Sequence, residues 1–221
     1  MLLALETSTN VCSVAFSERR GDIHEKRTEK RGAHSEQLFL FIETLMDEHQ
    51  FRIAELDAVL VSEGPGSYTG LRIGASAVKG LLFGTGIPLY AVQTLAGFAE
   101  SARRTNTGSG TIHAVIDARR VHLYHQSFTS SSRGPEATAE VGVRPIEQVE
   151  ALIEPGDTII GTGIQRMEGA GEAQDITRLD ASHISARSLI SLYRSGQSKC
   201  YRQCDPEQFD PTYLTSRQIS D

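Results

Sequence analysis

The stretch Glu63-Gly64-Pro65-Gly66-Ser67-Tyr68-Thr69-Gly70-Leu71-Arg72-Ile73-Gly74 decides how this chain folds. An apolar run, Ala58 to Val61, precedes it, and a Gly/Ala-rich apolar segment, Leu71 to Phe83, follows it. The order reads as strand, glycine-rich turn, helix. Glycine carries no Cβ, so such a turn lets backbone come close to something. The residues leave two candidates for that something, a phosphate and another protein. The block lacks the Gly-Lys-Ser/Thr ending of a P-loop and does not match Gly-x-Gly-x-x-Gly. A helix N-terminus behind a glycine turn still suits an anion.

Working outward, Leu2 to Glu6 and Val11 to Ser17 read as strands joined by the turn Thr7-Ser8-Thr9-Asn10, and Asp22 to Thr28 alternates as a third strand. Ser35 to Gln50 has Leu38, Phe41, Ile42, Leu45 and Met46 at helical spacing. Asp57 to Ser62 and Pro88 to Val92 are short buried-type strands. Arg103 to Gly110 reads as a loop. Thr111 to Ile116 and Val121 to Phe128 form a hairpin around Asp117-Ala118-Arg119-Arg120, and Thr129 to Pro135 reads as a loop. A strand at Thr158 to Gly161, a helix over Ser182 to Ser195 and a weakly patterned tail complete the chain. Strands and helices mix throughout, which gives an α/β or α+β class.

At 221 residues the chain can bury a substantial core as one large or two small domains. Its net charge of −6 argues against tight nucleic-acid binding by this chain alone, although a local basic patch stays compatible with it. Cys12, Cys200 and Cys204 are too few and too uneven for a disulfide framework. Cys200 and Cys204 stand four apart, but zinc wants about four ligands and no others are near. No basic region precedes the short apolar run at the start, and no apolar stretch approaches the ~20 residues of a membrane span. The cytoplasm is the expected location.

The segment Leu71 to Phe83 is apolar almost all round, with Arg72, Ser76 and Lys79 on one narrow stripe. Gly70, Gly74, Gly80 and Gly84 recur at intervals that favour close helix packing. Phe39 and Leu40 likewise extend the apolar arc of the preceding helix. The pattern fits a docking face and a fully buried core helix equally well.

Candidate chemical residues are sparse. The histidines at 24, 34, 49, 113, 122, 125 and 183 are scattered, and the odd spacing of His122 and His125 points them to opposite faces of a strand. His34, at the helix entry, is a candidate ligand, base or interface residue. Asp117 and Arg119 on a tight turn could touch a ligand, though a turn aspartate commonly bonds its own backbone. No Gly-x-Ser-x-Gly elbow or His-Glu-x-x-His motif occurs.

Five segments together resemble the TsaB (YeaZ) family: Leu5-Glu6-Thr7-Ser8-Thr9, Cys12-Ser13-Val14-Ala15, His34-Ser35-Glu36, the block Gly64 to Gly74, and Ile116-Asp117-Ala118-Arg119. The match covers the chain to about residue 130. Pro211-Thr212-Tyr213-Leu214 follows the family's C-terminal pattern until Thr215, where the family carries arginine. The resemblance implies an α/β actin-like (acetate/sugar kinase–Hsp70–actin, ribonuclease-H-like) fold of two lobes, expected here as 1–102 and a smaller, incomplete 103–221.

It further implies a non-catalytic partner of the enzyme TsaD, with TsaE joining, in threonylcarbamoyl transfer to tRNA adenosine. Homodimerisation in isolation and only indirect contact with tRNA are expected. In TsaD a metal is held partly by a His-x-x-x-His helix; the matching positions here are Thr94 and Phe98, neither an imidazole ligand. No metal, cofactor or catalytic residue is therefore expected. The expected interface comprises His34, Leu38, Phe41, Ile42, Leu45, Ser67, Tyr68, Thr69, Leu71, Arg72, Gly74, Ala75 and Val78, with Gly74→Leu or Ala75→Glu abolishing docking in a folded chain. Thr7, Ser8, Gly64, Gly66, Asp117 and Arg119 are the ligand-proximal candidates. The alternative function is a nucleotide- or metal-dependent enzyme, a transferase or a glycoprotease-like peptidase.

Overall fold

Strand β1, Leu2–Glu6, is buried along its whole length. That is why its apolar run is continuous where a one-faced strand would alternate. In the computed structural model, which describes residues 1–19, 21–30, 32–105, 110–167 and 175–214, β1 is central to the first sheet. It pairs antiparallel with β2 (Cys12–Ser17) and parallel with β4 (Ala58–Ser62). β3 (Ile23–Thr28) adds beyond β2, and β5 (Leu89–Val92) beyond β4. Helices α1 (His34–His49), α2 (Tyr68–Leu82) and α3 (Thr94–Arg104) fall between or after these strands.

The second sheet repeats the plan. β6 (Ile112–Asp117) pairs antiparallel with β7 (His122–Ser131), which pairs with both β8 (Gly134–Ala137) and β9 (Gly142–Pro145). After the short helix α4 (Ile146–Glu150), β10 (Thr158–Ile160) joins β6 in parallel, and β11 (Thr177–Leu179) joins β10. Helix α5 (Arg187–Ser195) and strand β12 (Tyr201–Cys204) end the described elements. Sheet one runs β12-β5-β4-β1-β2-β3 and sheet two β11-β10-β6-β7-β8. Each is a three-strand meander with two parallel strands added on the far side of its first strand, β4 and β5 in sheet one and β10 and β11 in sheet two; β12 extends sheet one antiparallel to β5. This duplicated order is the two-lobed actin-like α/β architecture.

Alternation along the strands builds the layers. Leu3 and Leu5 pack with Leu38, Ile42 and Leu45 of α1 and Ala75, Val78 and Leu82 of α2. Leu2 and Ala4 point the other way, into a core shared with α3, α5 and the sheet-two residues Ile112, Ala114, Ile116 and Phe128. Helices α1 and α2 thus form the outermost layer over sheet one, while α3 and α5 lie between the sheets. A smaller cluster of Val115, Leu123, Val149, Ile159 and Met167 covers the far face of sheet two.

The structure departs from the sequence reading in several places. α3 continues through Arg103 and Arg104, so the loop expected from Arg103 starts later, and residues 106–109 lie outside the described residues. The loop expected at Thr129 to Pro135 is mostly ladder, since β7 runs to Ser131 and β8 opens at Gly134. A 3-10 turn, Ala181–His183, precedes α5 and shortens the expected helix. The tail's weak pattern conceals β12, an edge strand whose Arg202 and Gln203 face water. The boundary expected at 102/103 is crossed, because β12 joins sheet one and α5 packs on β1 and β2. Among the described residues, no helix is long and apolar enough to cross a membrane.

Candidate functional site

The glycine-rich turn does approach something closely: the chain's own backbone. A Cβ on Gly66 would stand 2.2 Å from the Ser8 carbonyl oxygen, and one on Gly70 would stand 2.1 Å from that of Thr7. A Cβ on Gly74 would meet the Thr7 hydroxyl at 2.5 Å. Gly64, at φ +115°, backs onto the Thr212 carbonyl oxygen. Direct bonds lock the same approach. Ser67 N donates to Ser8 O at 2.6 Å, Thr212 N to Glu63 O at 2.7 Å, and Gly64 N to Thr94 Oγ1 at 3.0 Å. Ser67 caps α2, its Oγ accepting from Gly70 N. The turn therefore joins three parts of one chain: the β1–β2 corner, the start of α3 and the C-terminal segment.

Of the expected ligand-proximal residues, Thr7, Ser8 and Gly64 are buried, Gly66 and Asp117 half-buried, and Arg119 exposed. Thr7 and Ser8 are fully buried. Ser8 N and Oγ both donate to Glu6 Oε1, at 2.7 and 2.5 Å. Burial of Glu6 pushes its carboxyl up to about 7, against the pull of the two Ser8 bonds and one from Ser62. Asp117 and Arg119 sit elsewhere, on the sheet-two hairpin. Asp117 accepts from Arg119 N at 2.8 Å and from Arg166 at 3.3 Å, so this turn aspartate does bond its own backbone. Arg119 and Arg120 occupy the left-handed region, at φ 71° and 53°.

The expected interface residues divide by helix face. Leu38, Ile42, Leu45, Leu71, Ala75 and Val78 are buried in this chain's own core, Phe41 packs partly against it, and Gly74 is buried against Thr7. These side chains hold the outer layer onto sheet one, and of them Phe41 is the one left partly exposed. Gly74→Leu consequently attacks the fold, and Ala75→Glu would place a carboxylate in the core. His34 is buried too, its Nε2 bonded to Val11 O at 3.0 Å, and burial lowers its pKa. It fixes the helix entry instead of facing outward.

Only Ser67, Tyr68, Thr69 and Arg72 of the expected set are exposed. Arg72 lies 4.1 Å over the Tyr68 ring, and Tyr213 closes on the same ring at 5.2 Å. Further exposed apolar surface on the outer layer comes from Phe39 (47%), Leu40 (50%) and Phe83 (75%). Gly80 and Gly84 have open space where a Cβ would project. The notion of excess apolar surface is thus right for Phe39 and Leu40, and wrong for most of α2.

Positions 94 and 98 are committed to structure. Thr94 starts α3 and binds Gly64 N, while Phe98 is buried in the inter-sheet core. Among the described residues, no group of three or more His, Cys, Asp or Glu side chains is placed to hold a metal. Cys200 is buried and Cys204 half-buried, at the two ends of β12. Thr215, where the family pattern breaks, lies outside the described residues.

A polar cluster that the scattered histidines did not announce lies within sheet two. His113 Nε2 meets Asp157 Oδ2 at 3.2 Å, and His113 Nδ1 meets His125 Nε2 at 3.1 Å and Ser127 Oγ at 3.3 Å. The register pairing His113 with Ser127, and Val115 with His125, puts all of them on one face. Burial lowers both histidines, His125 to about 3. The atom order Ser-His-Asp is that of a hydrolase, but all four side chains are buried, so the hydroxyl faces packed protein and no substrate.

The fold and the closed glycine junction define a two-lobed actin-like protein whose glycine-rich motif serves internal packing. A family model described as TsaD: tRNA N6-adenosine threonylcarbamoyltransferase matches residues 23–176. The Haemophilus influenzae protein named tRNA threonylcarbamoyladenosine biosynthesis protein TsaB is 33% identical over 123 residues, covering 56% of this chain and 51% of its own. The Escherichia coli protein of the same name is 28% identical over 169 residues, 76% and 68% of the two chains. Two solved Pseudomonas aeruginosa structures, one described as YeaZ and one as an uncharacterized protein with similarity to peptidase YEAZ, match with TM-scores of 0.81 and 0.83. Each is 28% identical, covers 96% or 97% of this chain, and is itself covered to 99%. The chain spans about half the length of the Haemophilus influenzae relative. It belongs to the TsaB (YeaZ) family.

Proposed function

We propose that this chain is a non-catalytic scaffold or activator subunit of a cytoplasmic complex that transfers a threonylcarbamoyl group to adenosine in tRNA. It docks on TsaD through the outer layer of α1 and α2, and TsaE joins the pair. The observation that carries the reading is the use made of positions 94 and 98. Where the resemblance places two metal-binding histidines in TsaD, this chain has a hydroxyl bonded to Gly64 and a phenyl ring sealed in the core. The docking face is the exposed side of the same helices: Phe39 and Leu40 on α1, and Ser76, Gly80 and Phe83 along α2. A helix with an open glycine on its outer face admits another helix at close range. In isolation the same face serves a second copy.

The deciding experiment is reconstitution of tRNA modification with this chain, TsaD and TsaE, omitting each in turn. Modification should require this chain, which alone should turn nothing over. Size-exclusion chromatography with TsaD locates the surface. Gly80→Leu and Phe39→Glu should fold and abolish the complex peak, and an unchanged peak for both refutes the docking assignment.

A further inference from the structure

A cleft of about 340 Å³ opens between the turn Gly21-Asp22-Ile23, the last turn of α3 and the outer side of α5. Arg103, Arg104, Arg187 and Arg194 all line it, in a chain whose net charge is −6. Two of the four are bound within the fold. Arg103 forks Glu100, at 2.7 and 2.9 Å, and so neutralises the buried acid of the lining. Arg194 donates to Ser17 Oγ at 2.6 Å and to the carbonyls of Glu18 and Gly21, at 2.7 and 3.3 Å, fixing the turn. Among the described residues, the guanidinium groups of Arg104 and Arg187 have no carboxylate partner; Asp22 is the other acid in the lining. Arg104 has a structural explanation, since a cation at the end of α3 offsets the helix dipole. Arg187 has none of that kind. It is the first residue of α5, where the dipole disfavours a cation.

We propose that this cleft seats the backbone phosphates of an RNA. Guanidinium forks match phosphate oxygens, and the cations of this lining are all arginines, the choice that such contacts favour. An extended polyanion fits better than a small phosphate compound. Arg187 and Arg194 are seven residues apart, roughly 10 Å along the helix. The first N–H groups of α5 are already bonded within the chain, Arg187 N to Ser185 Oγ, Ser188 N to Ser185 O and Leu189 N to Ala186 O, so they form no N–H cradle of the kind a nucleotide site uses. Among the described residues no Phe, Tyr or Trp lines it, so bases find no aromatic ring to stack on and the contact reads backbone alone. The inference rests on the proposed place of this chain in a tRNA-modifying complex, and gives tRNA a direct contact with this subunit.

The test is fluorescence anisotropy of a labelled tRNA transcript titrated with the full chain, between about 50 and 200 mM KCl. Wild type should bind at the lower salt. Arg104→Glu/Arg187→Glu should weaken binding at least tenfold, whereas Arg133→Glu, on an exposed loop, should change it less than about twofold. In Arg104→Gln/Arg187→Gln, which guards against misfolding, the slope of log K against log salt should become shallower by about two. Absence of binding at low salt, equal binding by the variants, or displacement of RNA by inorganic phosphate beyond the effect of matched KCl overturns the proposal. Co-elution of the same variants with TsaD reports on docking separately, so failure here leaves the scaffold reading standing.

Discussion

The glycines of α2 make opposed demands, and alanine substitution separates them. Alanine in place of glycine inside a helix gains about 1 kcal/mol from propensity alone. At Gly80 nothing lies within 4 Å of the added Cβ, so Gly80→Ala should keep the whole gain. For a chain of this size that raises Tm by ~2–4 °C. At Gly74 the Cβ lands 2.5 Å from the Thr7 hydroxyl and 3.5 Å from a Val61 methyl. Thr7 is fully buried, so its hydroxyl has to be accommodated inside packed protein. Overpacking of this kind costs ~1–3 kcal/mol. The net for Gly74→Ala is therefore a loss of up to ~2 kcal/mol. At Gly70 the obstacle is the Thr7 carbonyl oxygen at 2.1 Å, which is backbone and cannot rotate aside without moving the β1–β2 corner. Gly70→Ala should be the worst of the three. Urea unfolding of the three variants, followed by circular dichroism, gives the order directly. If Gly74→Ala or Gly70→Ala gains as much as Gly80→Ala, the glycine junction does not press on the β1–β2 corner, and the assignment of its faces is wrong.

Other expected outcomes follow from buried ionisable groups. Glu6, raised from 4.5 to about 7 by burial, contributes stability that is full below pH 4.5 and gone above pH 7. Glu6→Gln should accordingly gain ~3 kcal/mol relative to wild type between pH 4.5 and 7.5 in urea titrations, and a pH-independent difference refutes the shift. His125, lowered from 6.5 to about 3, works in the opposite sense: its contribution is full above pH 6.5 and falls by ~1.4 kcal/mol per pH unit below it. His125→Gln should flatten that acid limb, and an unchanged limb assigns it to other groups. Arg103→Ala strands the buried Glu100 carboxylate and should cost ~2–3 kcal/mol by thermal melting, whereas a loss below ~0.5 kcal/mol would class the pair with ordinary surface ion pairs.

Most of sheet one was legible because each of β1 to β5 carries a readable pattern. Leu2 to Glu6 and Ala58 to Ser62 are buried on both faces and read as continuous apolar runs. Sheet two was harder. Its β8, β9 and β11 are three or four residues long, too short to show a period, and Glu136, Ala137, Thr177 and Arg178 face water. β12 hid for a related reason: on a sheet edge two of its four residues are solvated, and pairing with β5 supplies what the sequence pattern lacks. α3 was missed as a helix because Thr94-Leu95-Ala96-Gly97-Phe98-Ala99 is buried from end to end, and small residues show no amphipathic stripe there. The buried His113–Asp157 link joins residues 44 apart in sequence, which no local spacing could announce.

Which face of α2 is free to meet another molecule depends on phase, and the sequence itself exposes that phase. Four-residue glycine spacing says only that the glycines share a helix face, and the face depends on phase. Gly70 and Gly74 are in phase with Leu71, Ala75 and Val78, which belong to the sheet side. Gly80 is four residues from Ser76, which is four from Arg72, and Phe83 follows at three; all four residues are exposed. Membership of the polar stripe already placed Gly80 outside, just as membership of the apolar arc placed Gly74 inside. A glycine among inward-facing residues lets the chain's own corner approach, and only a glycine on the polar stripe can admit a second molecule. By that reasoning the proposed partner contact falls to Ser76, Gly80 and Phe83, together with Phe39 and Leu40 on α1, while the glycine-rich turn before them holds α2 against the strand corner that supports it.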